Sequence, residues 1–107
     1  MTREALINHG YRQFPVNEFL NPHAVANYQL LVQHGTERNK LYFITVFEYE
    51  RHLDGEPVVA TFQAECQFTN ENGGTFNVSL FDWDTVKELN AFFANVYHNM
   101  NCRPYSN

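Results

Sequence analysis

The stretch Val58-Val59-Ala60-Thr61-Phe62-Gln63-Ala64-Glu65-Cys66-Gln67-Phe68-Thr69 alternates along its length. Val58, Ala60, Phe62, Ala64, Cys66 and Phe68 fall on one side of an extended chain; Val59, Thr61, Gln63, Glu65, Gln67 and Thr69 fall on the other. A period of two with one apolar set is the mark of a β-strand with one dry and one wet face. Asn70-Glu71-Asn72-Gly73-Gly74 follows. An Asn-Gly pair can supply the positive φ angles of a hairpin turn, so Thr75 to Phe81 is expected to return antiparallel with Phe76, Val78 and Leu80 on the dry side.

Upstream, both alternating sets of Leu41 to Glu50 are apolar: Leu41, Phe43, Phe47 and Tyr49 in one, Tyr42, Ile44 and Val46 in the other. That pattern predicts an interior strand covered on both faces. Asn21-Pro22 reads as an N-cap with proline at the first helical position, predicting a short helical turn before a strand from Tyr28 to Gln33. One helix through Leu31 and Val32 is the alternative for residues 22–33. His34 to Lys40 and Arg51 to Pro57 contain Gly35, Asp54-Gly55 and Pro57, and read as hairpin loops.

Downstream, Thr85 and Glu88 have the spacing of a capping box, in which hydroxyl and carboxylate each satisfy a backbone N–H at a helix start. Val86, Leu89, Phe93, Val96, Tyr97 and Met100 then recur at three- and four-residue steps, with Asn101 and Pro104 as the stop. A helix with one apolar stripe must lie on something, and the platform carrying Phe62, Cys66, Phe76 and Leu80 is the natural choice. The resulting fold class is α+β: an antiparallel β-meander of three to four strands packed on one C-terminal α-helix, with an N-terminal arm containing a short helix. The chain is read as a single domain over 1–107, with the arm at 1–27, the meander at 28–83 and the helix at 84–101. The arm carries Leu6, Ile7, Tyr11, Phe14, Phe19 and Leu20, and is expected to fold over the second face of the central strand.

Composition narrows function mainly by exclusion. The 107 residues include 44% hydrophobic and 18% charged side chains, enough for a stable core. Ten Phe and six Tyr exceed what the core of so small a chain requires, which leaves rings for a surface. Net charge is −5, and Arg3, Arg12, Arg38, Lys40, Arg51, Lys87 and Arg103 are scattered. Nucleic-acid binding draws its affinity from cations clustered on one face, so direct binding is not expected. The first ten residues lack the apolar segment of a signal peptide, and no apolar run approaches the roughly 20 residues of a membrane span, which predicts a cytoplasmic protein and no membrane partner. Cys66 and Cys102 then default to thiols, and the sequon Asn77-Val78-Ser79 has no consequence in that compartment.

No motif carries a catalytic or cofactor signature. Asp82-Trp83-Asp84 could hold a metal or act as an acid and base, but carboxylates before a helix more simply stabilise its positive end. His98 and Cys102 are four apart, yet zinc requires three or four ligands and the other histidines are dispersed. Cys66 falls on the inward face, where a thiol is inert. Ser79 has no nucleophile-elbow setting, and Gly73-Gly74 is followed by no phosphate-binding lysine. No cofactor, metal or catalytic residue is assigned. Rings such as Tyr42, Phe47 and Tyr49 without surrounding cations fit a protein surface better than an RNA.

These features point to a non-catalytic protein–protein interaction module, an acidic inhibitor or accessory protein with the size and charge profile of phage or mobile-element anti-defence proteins. Tyr42, Tyr49, Asp82 and Trp83 are its candidate contact residues, and a homodimer across an open sheet face is a further arrangement. The competing expectation is a small-molecule-binding domain or enzyme with a pocket between sheet and helix, using Glu65, Asp82 or His98 as its polar group.

Overall fold

The computed structural model describes residues 1–16, 21–33, 40–70 and 72–100. Its elements run α1 (Arg3–Asn8), β1 (Arg12–Phe14), β2 (Ala26–Gln33), β3 (Lys40–Arg51), β4 (Val59–Thr69), β5 (Thr75–Leu80) and α2 (Val86–Asn99). The strands form one antiparallel sheet in the order β1-β2-β3-β4-β5, a meander in which each strand lies beside its neighbour in sequence.

The β4–β5 hairpin closes as its residues dictate. Gly73 takes φ +88°, where a side chain would be strained. The Asn70 amide oxygen accepts from the Asn72 and Gly74 backbone N–H groups at 3.0 and 2.9 Å, while Asn70 N–H donates to Gly74 O at 2.8 Å. The side chain thus serves backbone donors that the turn leaves without ladder partners. At the β3–β4 end Gly55 has φ +76°, and Glu56 N–H donates to Leu53 O at 3.1 Å. The connection between β2 and β3 falls at 34–39, outside the described residues.

Both helices are capped by threonine. Thr85 Oγ1 accepts from Glu88 N–H at 3.1 Å, and Glu88 Oε2 reaches back to Asp84 N–H at 3.2 Å. Thr2 Oγ1 accepts from Ala5 N–H at 3.1 Å at the start of α1. The α1 helix ends at Asn8 with His9 as its C-cap, and Gly10 just beyond it, at φ +91°, lets the chain turn into β1.

Both helices lie on the same side of the sheet. The core joins Leu6 of α1 and Val86, Leu89 and Phe93 of α2 to Tyr28, Tyr42, Ile44, Val46, Ala64, Cys66 and Phe68 of the strands. Phe68 sits at the centre of its aromatic part, with ring centroids 5.4 Å from Tyr42, 5.6 Å from Phe76 and 6.3 Å from Phe93. Tyr11 links the two helical regions by donating its hydroxyl to Asn90 Oδ1 at 2.7 Å. Burial pushes the Tyr11 phenol well above its ordinary value, with neighbouring Tyr42 and Cys66 adding to the effect.

Three expectations are corrected. The sheet has five strands, because Arg12–Phe14 adds an edge strand to β2. The short helix of the arm is α1 at Arg3–Asn8 and not at Asn21-Pro22, where residues 22–23 form only a turn; the expected strand to Gln33 is present as Ala26–Gln33, and the alternative helix through Leu31 and Val32 is not formed. The arm does not cover the second sheet face with Leu6 and Tyr11: both are buried beside α2, since α1 and α2 together are needed to cover a five-stranded sheet. Phe19 and Leu20 lie outside the described residues.

Candidate functional site

With the helices on one side, the opposite sheet face is covered by no described helix or strand. Parity along β3 shows the division: Tyr42, Ile44, Val46 and Glu48 are buried, while Phe43, Thr45, Phe47 and Tyr49 are half-exposed. Cross-strand partners share a face, so the strand registers place the open-face side chains in rows. One row runs Phe14, Asn27, Phe47, Gln63 across four strands. The next runs Arg12, Gln29, Thr45, Glu65, Ser79 across all five. Rings and amides alternate in the first row, and the second is polar throughout.

These rows floor a trough of about 650 Å³, whose lining also includes Pro15, Val16, Asn21 and Tyr49. Asn27 is its most buried polar group, 8% exposed. Its side-chain N–H donates to Pro15 O at 3.2 Å, and its Oδ1 accepts no hydrogen bond. Tyr49 Oη accepts from Asn21 Nδ2 at 2.7 Å, which fixes that ring at the trough wall. The trough adjoins a second hollow of about 470 Å³, because Thr45 and Glu65 line both. Pairing of β3 with β4 runs from Arg51 and Val59 to Thr45 and Glu65, where the second hollow begins.

The sequence-derived contact candidates separate. Tyr42 (3% exposed) and Trp83 (7% exposed) are core residues. Burial pushes the Tyr42 phenol up to about 12. Tyr49 stands on the open face and Asp82 is exposed at the β5–α2 junction. Asp82 and Trp83 share a groove of about 230 Å³ with Met1, Phe62 and Phe81, where the buried Trp83 Nε1–H has no acceptor. Of the polar groups considered for a small-molecule site, Glu65 lines the open-face trough and His98 is exposed, its ring edge-on to Tyr97. Cys66 is buried in the core, and Cys102 lies outside the described residues. The described residues contain no group of three metal-ligating side chains and no helix long and apolar enough to cross a membrane.

The chain matches no family model, no curated protein and no solved structure. Its site is therefore read from its own residues. Sequence reasoning passed over Asn27, Gln29 and Phe14 as participants. Their convergence depends on the β1–β2 register, which no local pattern signals; the period-two signal does place Asn27 opposite Tyr28 and Ala26, on the wet face of β2.

A second polar cluster closes the core. Glu48, 6% exposed, accepts from Tyr28 Oη at 2.8 Å and from Arg3 Nη2 at 3.2 Å to each carboxylate oxygen. Burial first, and then this hydrogen bond, push the Tyr28 phenol up to about 12. The cluster pins α1 to β2 and β3, and Glu48 and Arg3 also line a hollow of about 330 Å³ with Met1, Thr2 and Phe62.

Proposed function

We propose that this protein is a non-catalytic, cytoplasmic protein–protein interaction module, a small acidic inhibitor or accessory protein that covers a site on a larger partner with the open face of its sheet. The observation that supports this most is the row Phe14-Asn27-Phe47-Gln63, aromatic and amide side chains presented on a rigid sheet with no described element over them. Such rings offer large contact area with few rotatable bonds, and the half-exposed Gln63 amide offers hydrogen bonds in both directions. The net charge of −5 favours a basic partner surface. The phage or mobile-element anti-defence profile is the narrower form of this proposal.

Affinity capture from nuclease-treated host lysate tests it, with Phe47→Ser and Tyr49→Ser beside the wild-type chain. A stoichiometric protein held by the wild type and released by both variants is expected. Retention of that protein by both variants, or no stoichiometric protein at all, would refute the reading.

A small-molecule binder is the second reading, favoured by the size of the open-face trough, which is within the roughly 300 to 1,000 Å³ of ligand sites. Its location differs from the sequence expectation. Val86, Leu89 and Phe93 fill the space between sheet and helix, so such a pocket would lie on the far side of the sheet.

A further inference from the structure

We propose that two copies of this chain pair face to face across the open sheet, about a two-fold axis that runs along the strands between β2 and β3, so that Arg12 of each copy meets Glu65 of the other. The pairing regulates the face assigned above to a larger partner and in that role rests on the interaction reading: the partner must displace the second copy to reach the sheet.

The row Arg12, Gln29, Thr45, Glu65 carries the inference. Among the described residues of the two open-face rows, Arg12 is the cation and Glu65 the carboxylate. They stand three strands apart, roughly 14 Å by ordinary strand spacing, which is too far for them to pair within one chain. Arg12 is exposed, Glu65 is half-exposed, and neither joins an ion pair with another described residue. A two-fold axis midway between them, parallel to the strands, turns each row onto its own copy and exchanges β1 with β4 and β2 with β3. Arg12 then faces Glu65 of the second copy, and Glu65 faces its Arg12. Every contact is made twice, as a self-complementary two-fold interface requires.

The neighbouring row fits under the same axis. Phe47 of one copy faces Asn27 of the other, and Phe14 faces Gln63. Asn27 is recessed at 8% exposure between its cross-strand partners Phe14 and Phe47, so the arriving ring enters a hollow and does not collide with another ring. Two sheets packed in this aligned manner interdigitate their side chains across about 10 Å. The contact is small. The four overlapping strands are roughly 19 Å wide, and Phe43 to Tyr49 along β3 spans roughly 20 Å, which puts the buried area at the low end of specific interfaces and implies a weak dimer. The net charge of −5 on each copy opposes association at long range, so the local opposition of Arg12 and Glu65 fixes the register.

Sedimentation equilibrium of the intact chain over a concentration series tests the pairing. A reversible monomer–dimer equilibrium with a dissociation constant of roughly 10 to 100 μM is expected for the wild type. Arg12→Glu and Glu65→Arg each set like charges opposite one another and should weaken the dimer by about tenfold or more. Both variants should keep the wild-type circular dichroism spectrum, since neither side chain is in the core. An equimolar mixture of the two variants should dimerise again, because each defective chain supplies the charge that the other lacks at both contacts. A wild-type chain that stays monomeric at every concentration would overturn the proposal and leave the interaction reading in place. A dimer that survives both reversals, or variants that fail to complement one another when mixed, would overturn it as well. A dimer that passes the mixing test when no lysate protein is captured supports the pairing and refutes only the role given to a larger partner.

Discussion

Tyr28 donates its hydroxyl to Glu48 Oε1 at 2.8 Å, and both side chains are on the helix-covered face of the sheet with 0% and 6% of their surface exposed. A carboxylate in such a place is tolerated only when its oxygens are served, and Tyr28 with Arg3 serves both. Glu48→Ala should therefore cost about 2 to 3 kcal/mol, because it orphans a buried hydroxyl and opens a space beside the core. Tyr28→Phe should cost about 1 to 2 kcal/mol by removing the one buried donor. Arg3→Ala should cost less than either, since the guanidinium is half-exposed and water can replace it. Urea denaturation of the three variants tests this order; a larger loss for Arg3→Ala than for Tyr28→Phe would show that the ion pair, not the buried hydrogen bond, anchors α1.

The same tyrosine gives the fold an alkaline limit. Tyr28 and Tyr42 are pushed up to about 12, mainly by burial, and Tyr11 is raised further for the same reason. In the unfolded chain these phenols ionise near the ordinary tyrosine value of about 10. Above that pH the unfolded state loses protons that the folded state keeps, so the stability these groups contribute is fully present below about pH 10 and is lost as pH rises through 12. Each tyrosine contributes a slope of up to about 1.4 kcal/mol per pH unit in that window. Denaturation midpoints that stay level between pH 10 and 12 would contradict the burial of these three rings.

Thr85→Ala addresses the start of α2. Loss of the bond from Glu88 N–H to Thr85 Oγ1 should cost about 1 kcal/mol, whereas Thr85→Ser should be nearly neutral. A thermal unfolding series distinguishes the two; equal melting temperatures for alanine and wild type would place the helix start elsewhere.

These elements differ in how well the sequence announces them. The β4–β5 hairpin and α2 are long enough for a period to repeat, and their turn and cap residues act on backbone groups within five positions. α1 and β1 span six and three residues, too short for either period to show. Glu48 has the parity of Ile44 and Val46, but a carboxylate does not announce a core position; Tyr28 and Arg3, which make that position tenable, are 20 and 45 residues away. The trough is hidden for the same reason. Phe14, Asn27, Phe47 and Gln63 come from four strands and meet only through register, and the second face of β3, although apolar enough to suggest a cover, carries no described helix. Tyr42 and Tyr49 were grouped as surface rings, but an odd separation along a strand sends them to opposite faces, one into the core and one to the trough.

That two-faced division supplies the most direct test of the architecture, because Phe93 and Phe47 are the same residue type on opposite sides of one sheet. Phe93 is fully buried between α2 and the strands, so Phe93→Ala should cost about 3 to 5 kcal/mol through lost burial and the cavity left behind. Phe47 is half-exposed on the open face, so Phe47→Ala removes fewer contacts, leaves no enclosed cavity and should cost less than half as much as Phe93→Ala by the area it withdraws from water. The two variants should invert their order in a binding assay, with Phe47→Ala folded and unable to hold the partner. If Phe47→Ala destabilises the chain as severely as Phe93→Ala, the second face is itself covered, and the trough belongs to the core, not to a partner.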